Sequence, residues 1–297
     1  MNLQYFSDHG DHDILNLWDP VVFRLYGNVQ NQEGRTFLML AAREGRADVV
    51  DRFIEQKDVD VNLQDQGGTT ALMLAIQHGH IDVVCLLLSH PNIQVNLQDQ
   101  VGGTTALILA IQHGHIDVVR LLLSHPDIDV NLQDQDGWTA LDYSVHGDNV
   151  NIDIFLLLLL HPDIKVNLQN EGGYTALMIA ICHDELEKVN LLLSHPDIDV
   201  NIENYDGSPP LIEAVRENKI DIVELLLNHH KTDVNIQSAY DGRTPLIEAA
   251  RENNSDIVEL LINEFDINVN LQDDYGRTAL MWAILKDHAV VVDLLSQ

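Results

Sequence analysis

The sequence predicts an all-α solenoid in which short helix-turn-helix units stack side by side and are joined by fingers of β-turn and loop. First, a Val-Asn pair recurs every 34 to 36 residues, at Asn62, Asn96, Asn131, Asn167, Asn201, Asn235 and Asn270. Second, each period contains two short apolar segments with helical spacing. Third, neither segment can bury its apolar face alone, so neighbouring units must share one core.

The unit of residues 67–100 shows how its first helix is predicted. A glycine pair at 67 and 68 permits a tight turn, and the hydroxyl of Thr70 can accept a hydrogen bond from an unpaired amide at the helix start. Gly79 then ends the helix. We expect one apolar face, formed by Leu72, Ala75 and Ile76.

The second helix of this unit must stop before Pro91, because proline lacks an amide hydrogen and clashes with the preceding turn. We expect its buried side to consist of Ile81, Val84, Leu87 and Leu88. The next unit, residues 102–135, matches this one at 30 of 34 positions, which indicates recent duplication. The four differences are Met73/Ile108, Cys85/Arg120, Asn92/Asp127 and Gln94/Asp129.

By these motifs the chain resembles the ankyrin-repeat family over residues 34–297. The segment Gly242-Arg243-Thr244-Pro245-Leu246 is nearest to the family's turn and helix start, and Gly79-His80 and Gly114-His115 resemble its Gly-His step. The resemblance implies a module that binds proteins and not an enzyme. The family's histidine after the leucine is replaced by apolar or acidic residues, for which we expect apolar packing: Met39, Met73, Ile108, Asp142, Met178, Ile212, Ile247 and Met281.

Two regions depart from the regular period. Residues 1–33 complete only about half a unit, so we expect them to cap the array. The array itself is expected to span residues 34–297, with about eight units and the last one truncated. The unit that begins at Gly137 has about two extra residues near 146–149, between its helices.

Charge and composition limit the function further. The formal net charge is -31, from 47 acidic and 16 basic residues. Such a surface repels phosphate backbones and anionic lipids, so we expect a protein partner, preferably net basic, and no nucleic acid or membrane. It also favours a monomer. Two cysteines, no signal sequence and no long apolar run indicate a cytoplasmic protein.

Motifs for chemistry are weak. The His78-Gly79-His80 and His113-Gly114-His115 segments lack further ligands at metal-binding spacing, so we expect no metal and no cofactor. Cys182 and His183 point in different directions on one helix, which disfavours a nucleophile and base pair, and we expect no catalytic residues. An enzyme or weak metal site hidden near Asp8, His9, Asp11, His12 and Asp13 is the remaining alternative of this class.

A modification is also suggested by the resemblance. Repeats of this kind resemble substrates of the eukaryotic asparaginyl hydroxylase, which favours leucine eight residues before an asparagine that follows an acidic and an aliphatic residue. Three asparagines fit this pattern, namely Asn131, Asn201 and Asn235. The competing interpretation is that these asparagines only bond the loop backbone.

The resemblance places the partner-binding surface on the turn tips and the first-helix face of the groove. In the early units the matching residues are Gln77, His78, Gln112 and His113. Later matches are Trp138, His146, Tyr174, His183, Tyr205, Arg216, Glu217, Tyr240, Arg243, Arg251 and Glu252. Trp, Tyr and Arg are the residues that dominate binding hot spots. A second functional interpretation stays open, in which the chain is an effector that an intracellular bacterium delivers into the host cytosol, where it binds host proteins.

Overall fold

The computed structural model describes residues 27–146 and 151–297. Sixteen helices lie in these ranges, arranged as eight pairs. The first helices of the pairs are α1 Phe37–Arg43, α3 Ala71–Gln77, α5 Ala106–Gln112, α7 Ala140–His146, α9 Ala176–Cys182, α11 Pro210–Arg216, α13 Pro245–Arg251 and α15 Ala279–Leu285. The second helices are α2 Ala47–Ile54, α4 Ile81–Leu88, α6 Ile116–Leu123, α8 Ile152–Leu159, α10 Leu186–Leu193, α12 Ile220–Leu227, α14 Ser255–Ile262 and α16 Ala289–Leu295.

Threonine caps start most first helices, as the sequence predicts. The hydroxyl of Thr70 accepts a hydrogen bond from the amide of Met73 at 3.2 Å, and Thr105 and Thr244 cap α5 and α13 in the same way. At α11 the cap position is Pro209, which has no side-chain acceptor, but Pro210 follows as the first helical residue. Proline suits that position because its missing amide hydrogen would have no helical partner there.

The turn between the helices of a pair uses a left-handed residue. Gly45, Gly79 and Gly114 have φ values of 68° to 73° there. In the later pairs asparagine or aspartate takes this place, at Asp184, Asn218, Asn253 and Asp287, with φ between 54° and 63°. These two residue types tolerate the left-handed region better than other residues with a Cβ atom, so the turn survives without glycine.

The second helices bury a narrower stripe than the sequence predicts. In α4, Val83, Val84 and Leu87 are fully buried. The prediction for Ile81 is wrong, since this side chain is 41% exposed, and Leu88 is only half-buried. At about 100° per residue, Val83, Val84 and Leu87 share one narrow arc, while Ile81 at the helix start lies outside it.

In most repeats, the residue that stands in place of the family's histidine packs in the core. Six of the eight residues are apolar and almost completely buried: Met39, Met73, Ile108, Met178, Ile212 and Ile247. Asp142 is also buried, at 1% exposure, whereas Met281 is 50% exposed. The expectation of apolar packing is therefore confirmed for these six residues and is wrong for Met281.

The described residues form two compact units, one that lies within residues 1–164 and one that comprises residues 165–297. In the described part of the first unit the first helices α1, α3, α5 and α7 stack in sequence, and the second helices α2, α4, α6 and α8 form a parallel row. Each helix also packs against the other helix of its own pair. The core therefore lies between the two rows and continues through all four pairs.

The second unit repeats this arrangement. Helices α9, α11, α13 and α15 stack as one row, and α10, α12, α14 and α16 stack as the other. Residues 165–297 thus share one core of their own. The described residues hold one isolated bridge, between Gln98 and Thr105, and no named strand, so the all-α class is confirmed.

Hydrogen bonds between loops explain the recurring Val-Asn-Leu-Gln-Asp segment. Asn62 Nδ2 donates to the carbonyl of Asn92 at 2.7 Å, and Asn62 Oδ1 accepts from the amide of Gln94 at 2.8 Å. Gln64 Nε2 donates to two carbonyls, those of Gly68 and of Gln98 in the next repeat. Asn and Gln therefore tie each loop to the following one, because buried or half-buried loop amides and carbonyls need partners.

Glycine at the turn tip permits close stacking of the turns. Gly68 has a φ of 79°, and a Cβ atom there would lie 2.5 Å from the amide nitrogen of Gln100. That same amide donates to the carbonyl of Gly67 at 2.8 Å. Glycine is thus required both for the backbone conformation and for the approach of the next turn.

Two sequence predictions fall largely outside the described residues. The expected capping segment, residues 1–33, is described only from residue 27. The expected insertion near residues 146–149 is described only at His146, which ends α7. Both stay predictions.

Candidate interaction surfaces

An ion-pair network joins first helices in the second unit. Glu248 on α13 is 1% exposed and lies between three arginines. Its carboxylate accepts from Arg216 Nε at 3.1 Å and from Arg251 NH2 at 3.0 Å, and it lies 3.5 Å from Arg243 NH1. Arg216, Arg243 and Arg251 were predicted to face a partner, and the structure gives all three an intramolecular role.

Further acidic residues complete this network. Arg216 also bonds the hydroxyl of Ser208 and lies 3.4 Å from Glu213. Arg243 pairs with Asp241 at 2.9 Å. Burial alone would raise the pKa of Glu248, but the hydrogen bonds and charges of Arg251 and Arg216 outweigh burial and lower the pKa. Glu248 is therefore ionised at neutral pH.

An open depression of about 520 Å³ lies over the network. It is lined by Asp206, Arg216, Tyr240, Asp241, Arg243, Glu248, Arg251 and Glu252. Five of the predicted contact residues are thus brought together here: Arg216, Tyr240, Arg243, Arg251 and Glu252. Glu217, which ends α11, is exposed and has no ion-pair partner in the described part of the chain.

Exposed tyrosines occupy the turn tips of three successive repeats in the second unit. Tyr205 is 72% exposed, Tyr240 79% and Tyr275 70%. The corresponding turn tips of the first unit carry the glutamines Gln66, Gln100 and Gln135, whose amides make the same bond to the preceding turn as the amide of Tyr205. The sequence interpretation included Tyr205 and Tyr240 but missed Tyr275, which lies in the corresponding turn, one residue before Gly276.

The other two predicted residues of the second unit differ in exposure. The ring of Tyr174 is half-buried on its own turn, and burial, with Glu213 and Cys182 nearby, raises the pKa of its hydroxyl. His183 caps the end of α9 and is exposed. Of these two, His183 is the more exposed.

In the first unit the predicted residues lie at the ends of the first helices. Gln77, His78, Gln112 and His113 are all exposed. The ring of His78 stacks on that of His80 at 6.2 Å, and His113 stacks on His115 at 5.7 Å. Burial and the nearby His115 and His78 lower the pKa of His113. His113 is therefore mostly neutral at pH 7.

His80 has a structural role instead. Its Nε2 lies 2.9 Å from the carbonyl oxygen of Arg43, in the preceding repeat. His288 makes the equivalent contact from Nδ1 to the carbonyl of Ala250 in the second unit. The histidine of the Gly-His step thus ties one pair of helices to the pair before it.

Trp138 packs within its own repeat. Its ring lies 5.5 Å from that of Tyr143 and 5.2 Å from that of His146, which is exposed. Tyr143 donates to Asp134 Oδ2 at 2.6 Å, and the amide of Trp138 donates to Asp134 Oδ1 at 2.8 Å. The half-buried Trp138 therefore presents one edge of a small aromatic cluster.

The three predicted hydroxylation sites all bond the neighbouring loop. Asn131 Nδ2 donates to Asp163 at 2.8 Å, Asn201 Nδ2 to Lys231 at 2.8 Å, and Asn235 Nδ2 to Asp266 at 2.7 Å, in each case to the carbonyl oxygen. A modifying enzyme would have to open these contacts to reach the side chain.

The geometry at Cys182 does not favour nucleophilic chemistry. Desolvation and the charges of Glu213 and Glu217 raise the pKa of its thiol to about 11. A reactive cysteine needs the opposite shift, because the thiolate is the nucleophile. Cys85 and Cys182 are both free thiols.

Residues 27–146 and 151–297 contain neither a cluster of metal ligands nor a membrane-spanning helix. No group of three His, Cys, Asp or Glu side chains there is placed to hold a metal ion. None of the helices in the same ranges has the length and apolar character needed to cross a membrane.

Comparison with known proteins identifies the family. The family model for ankyrin repeats matches four overlapping segments, residues 3–99, 92–170, 149–238 and 211–297. Among solved structures, the crystal structure of EF0377, an ankyrin repeat protein, is similar with a TM-score of 0.60 and 28% identity, over 69% of this chain and 99% of that one. No curated protein matches the chain.

The repeated helix pairs, the loop contacts and the family match together define a class, the repeat proteins that serve as interaction modules. The chain belongs to the ankyrin-repeat family. Proteins of this family are generally interaction modules and not enzymes.

Proposed function

We propose that the unit of residues 165–297 binds a partner protein through its tyrosine-bearing turn tips and the adjoining ends of α11 and α13. The observation that carries this proposal is the row of three exposed tyrosines, Tyr205, Tyr240 and Tyr275. An exposed aromatic side chain contributes little to the stability of the fold. It offers a partner protein a large apolar contact area with a polar hydroxyl at its end.

The charges around this row favour a basic partner. The arginines that line the depression are already paired with Glu213, Asp241 and Glu248. The carboxylates of Asp206 and Glu217 are exposed and have no ion-pair partner among the described residues. Lysine or arginine side chains of a partner would pair with these carboxylates and stack on the tyrosine faces.

The first unit offers a second contact surface of lower apolar content. Gln77, His78, Gln112 and His113 are exposed at the ends of α3 and α5, and Trp138 and His146 lie at the two ends of the fourth repeat's first-helix segment. We include these residues in the proposal as polar contacts. His183, Tyr174, Arg243, Arg251 and Glu252 belong to the proposed surface of the second unit.

We infer that this binding is the chain's activity, without catalysis and in the cytoplasm. The same surface would serve an effector delivered into a host cell, because delivery does not change how the surface binds. A translocation assay with a reporter fused to the full chain separates the two cases.

A binding screen with matched variants tests the proposal. Peptide arrays rich in Lys and Arg, and arrays of the same length rich in Asp and Glu, are probed with the full chain. We expect signal on the basic arrays, and we expect the triple variant Tyr205→Ala, Tyr240→Ala, Tyr275→Ala to lose at least about tenfold in affinity.

The control is Phe265→Ala, which removes an aromatic side chain that is 99% exposed on a different loop of the same unit. This variant is expected to bind like the unchanged protein, and both variants are expected to keep the helical circular dichroism signal. Equal loss in both variants, or binding only to acidic peptides, would contradict the proposal.

A further inference from the structure

Two leucines of α8, Leu156 and Leu160, occupy positions at which none of the other seven repeats has a large apolar residue. Leu156 corresponds to Asp51, Cys85, Arg120, Asn190, Glu224, Glu259 and Asp293. Leu160 corresponds to Glu55, Ser89, Ser124, Ser194, Asn228, Asn263 and Gln297. None of these fourteen residues is a large apolar one. The two leucines are four residues apart, so they lie on one side of the helix.

This side of α8 faces outward and not into the core. Leu160 is 78% exposed, and Leu156 is half-buried. The core of the same helix is formed by Ile154, Phe155 and Leu158. Leu160 therefore adds little to the core of the repeat, and Leu156 leaves part of its surface uncovered.

The two leucines belong to an apolar depression of about 530 Å³ within the first unit, here called the leucine patch. It is lined by Arg120, Leu123, Ser124, Asp153, Leu156, Leu157, Leu160, His161 and Pro162. All of these residues lie on or just after the adjacent second helices α6 and α8. The patch is on the second-helix side, so it is separate from the turn tips and first-helix ends proposed above.

One cation and one anion border the leucine patch. The side chains of Arg120 and Asp153 are both exposed, and neither has an ion-pair or hydrogen-bond partner among the described residues. Arg120 is also one of the four residues by which its repeat differs from the nearly identical repeat before it, where Cys85 takes its place. At this position of the second helix, a positive charge thus occurs only in the repeat next to the one that carries Leu156 and Leu160.

We propose that the leucine patch binds the same patch of a second copy of this chain, in a twofold symmetric dimer. A twofold interface places residue i against residue j and residue j against residue i. A patch with leucines between an arginine and an aspartate, neither of which has an ion-pair partner in residues 27–146 and 151–297, is complementary to itself under that symmetry. Arg120 of each copy pairs with Asp153 of the other copy, and the leucines of both copies are buried between these pairs.

The net charge of the chain explains why self-complementary charges are needed. Two copies that each carry a formal charge of -31 repel one another at long range. Apolar contact at the leucine patch and two local ion pairs oppose that repulsion. The dimer is expected to be weak and to strengthen when salt screens the long-range repulsion.

Sedimentation velocity of the full chain over a wide concentration range tests the dimer. We expect a reversible monomer-dimer equilibrium. The double variant Leu156→Asn, Leu160→Ser, which installs the residues of the α10 repeat at these positions, is expected to raise the dimer dissociation constant at least about tenfold. The control Val101→Ser changes an apolar residue that is 80% exposed elsewhere in the first unit, and we expect no effect.

Charge exchange tests the pairing itself. Arg120→Asp alone should weaken the dimer. The double variant Arg120→Asp, Asp153→Arg should restore it, because twofold symmetry places position 120 of each copy against position 153 of the other, and the exchanged charges are again opposite. A chain that stays monomeric at the highest concentration overturns the proposal, as does a dimer that the leucine substitutions leave unchanged. Failure of the double charge variant to restore association overturns the twofold pairing. None of these results depends on the binding of basic peptides at the turn tips.

Discussion

Arg216 Nε lies 3.1 Å from Glu248 Oε1, so a cation at the end of α11 neutralises a buried carboxylate on α13, in the next repeat. Glu248 occupies the position that Leu74 and Leu109 hold in earlier repeats. The stacking of these two repeats thus depends partly on charge, at a position where Leu74 and Leu109 are apolar.

Glu248→Ala should destabilise the second unit by about 2 to 4 kcal/mol, because it leaves three arginines without their shared acceptor. The measurement is urea denaturation of the full chain followed by circular dichroism. Glu252→Ala is the matched control, since Glu252 is 45% exposed and, among the described residues, forms an ion pair with Arg251 alone. We expect about 0.5 kcal/mol or less for the control. Equal effects of the two variants would show that the network adds no stability.

The lowered pKa of Glu248 also predicts how the stability of the fold depends on pH. Its pKa is lower in the folded chain than in the unfolded one. Its contribution to stability is therefore present above the unfolded pKa of about 4.3 and is lost as the pH falls through the lower folded value. The difference in stability between the unchanged protein and the variant Glu248→Gln should shrink below about pH 4.

Asp142 should behave in the opposite way. Burial raises its pKa to about 6, against the hydrogen bonds from the amide and hydroxyl of Thr139, both at 2.8 Å. A carboxyl whose folded pKa is raised stabilises the fold at low pH, and this contribution is lost as the pH rises through about 6. Asp142→Asn keeps an acceptor for Thr139 without the charge.

We therefore expect Asp142→Asn to stabilise the first unit by about 2 kcal/mol at pH 8 and to have little effect at pH 4. Urea denaturation at a series of pH values gives both numbers. The exposed Asp136 provides the control variant Asp136→Asn. A gain that is the same at every pH would mean that desolvation of the Asp142 charge is not its cause.

The asparagine contacts between loops should be worth more than those of a surface asparagine. Asn235→Ala removes the bond to the carbonyl of Asp266 and leaves the amide of Asn268 without its acceptor, which should cost about 1 to 2 kcal/mol. Asn190→Ala, on the exposed side of α10, should cost less than about 0.5 kcal/mol. Denaturation midpoints of the two variants decide this, and similar midpoints would argue against the loop contacts as a source of stability.

Hydroxylation of the loop asparagines is tested by mass spectrometry after incubation with a eukaryotic asparaginyl hydroxylase. We expect one added oxygen at Asn131, Asn201 or Asn235. Asn167 serves as an internal comparison, because Lys165 stands where the three sites have aspartate. We also expect faster modification when urea loosens the loops, since each side chain is bonded to the next loop. No oxygen on any of the three would end this hypothesis.

The fold could be predicted from the sequence because residues with the same structural role recur at the same place in successive periods. Thr70, Gly79 and Asn62 each have one local role that recurs about 35 residues later. Ile81 was misplaced because, at about 100° per residue, it lies outside the arc that Val83, Val84 and Leu87 share. An eight-residue helix has so few turns that periodicity alone does not fix which arc is buried.

The ion-pair network was harder to predict, although a signal exists. Glu213 and Glu248 stand in a column of otherwise large and mostly apolar residues, and each is followed three residues later by an arginine. Reading that column would have indicated buried charge. Which arginine of a neighbouring repeat reaches Glu248 depends on distances between helices, and the sequence does not contain these.

The loop contacts of Asn62 and Gln64 have one more consequence. Since the same asparagine contact recurs about one period apart, at Asn62, Asn96 and Asn131, removal or duplication of a whole period brings equivalent partners face to face again. The nearly identical segments 67–100 and 102–135 are what such an event would leave behind. Genes of this architecture can change the length of their product in steps of one period without inventing a new junction.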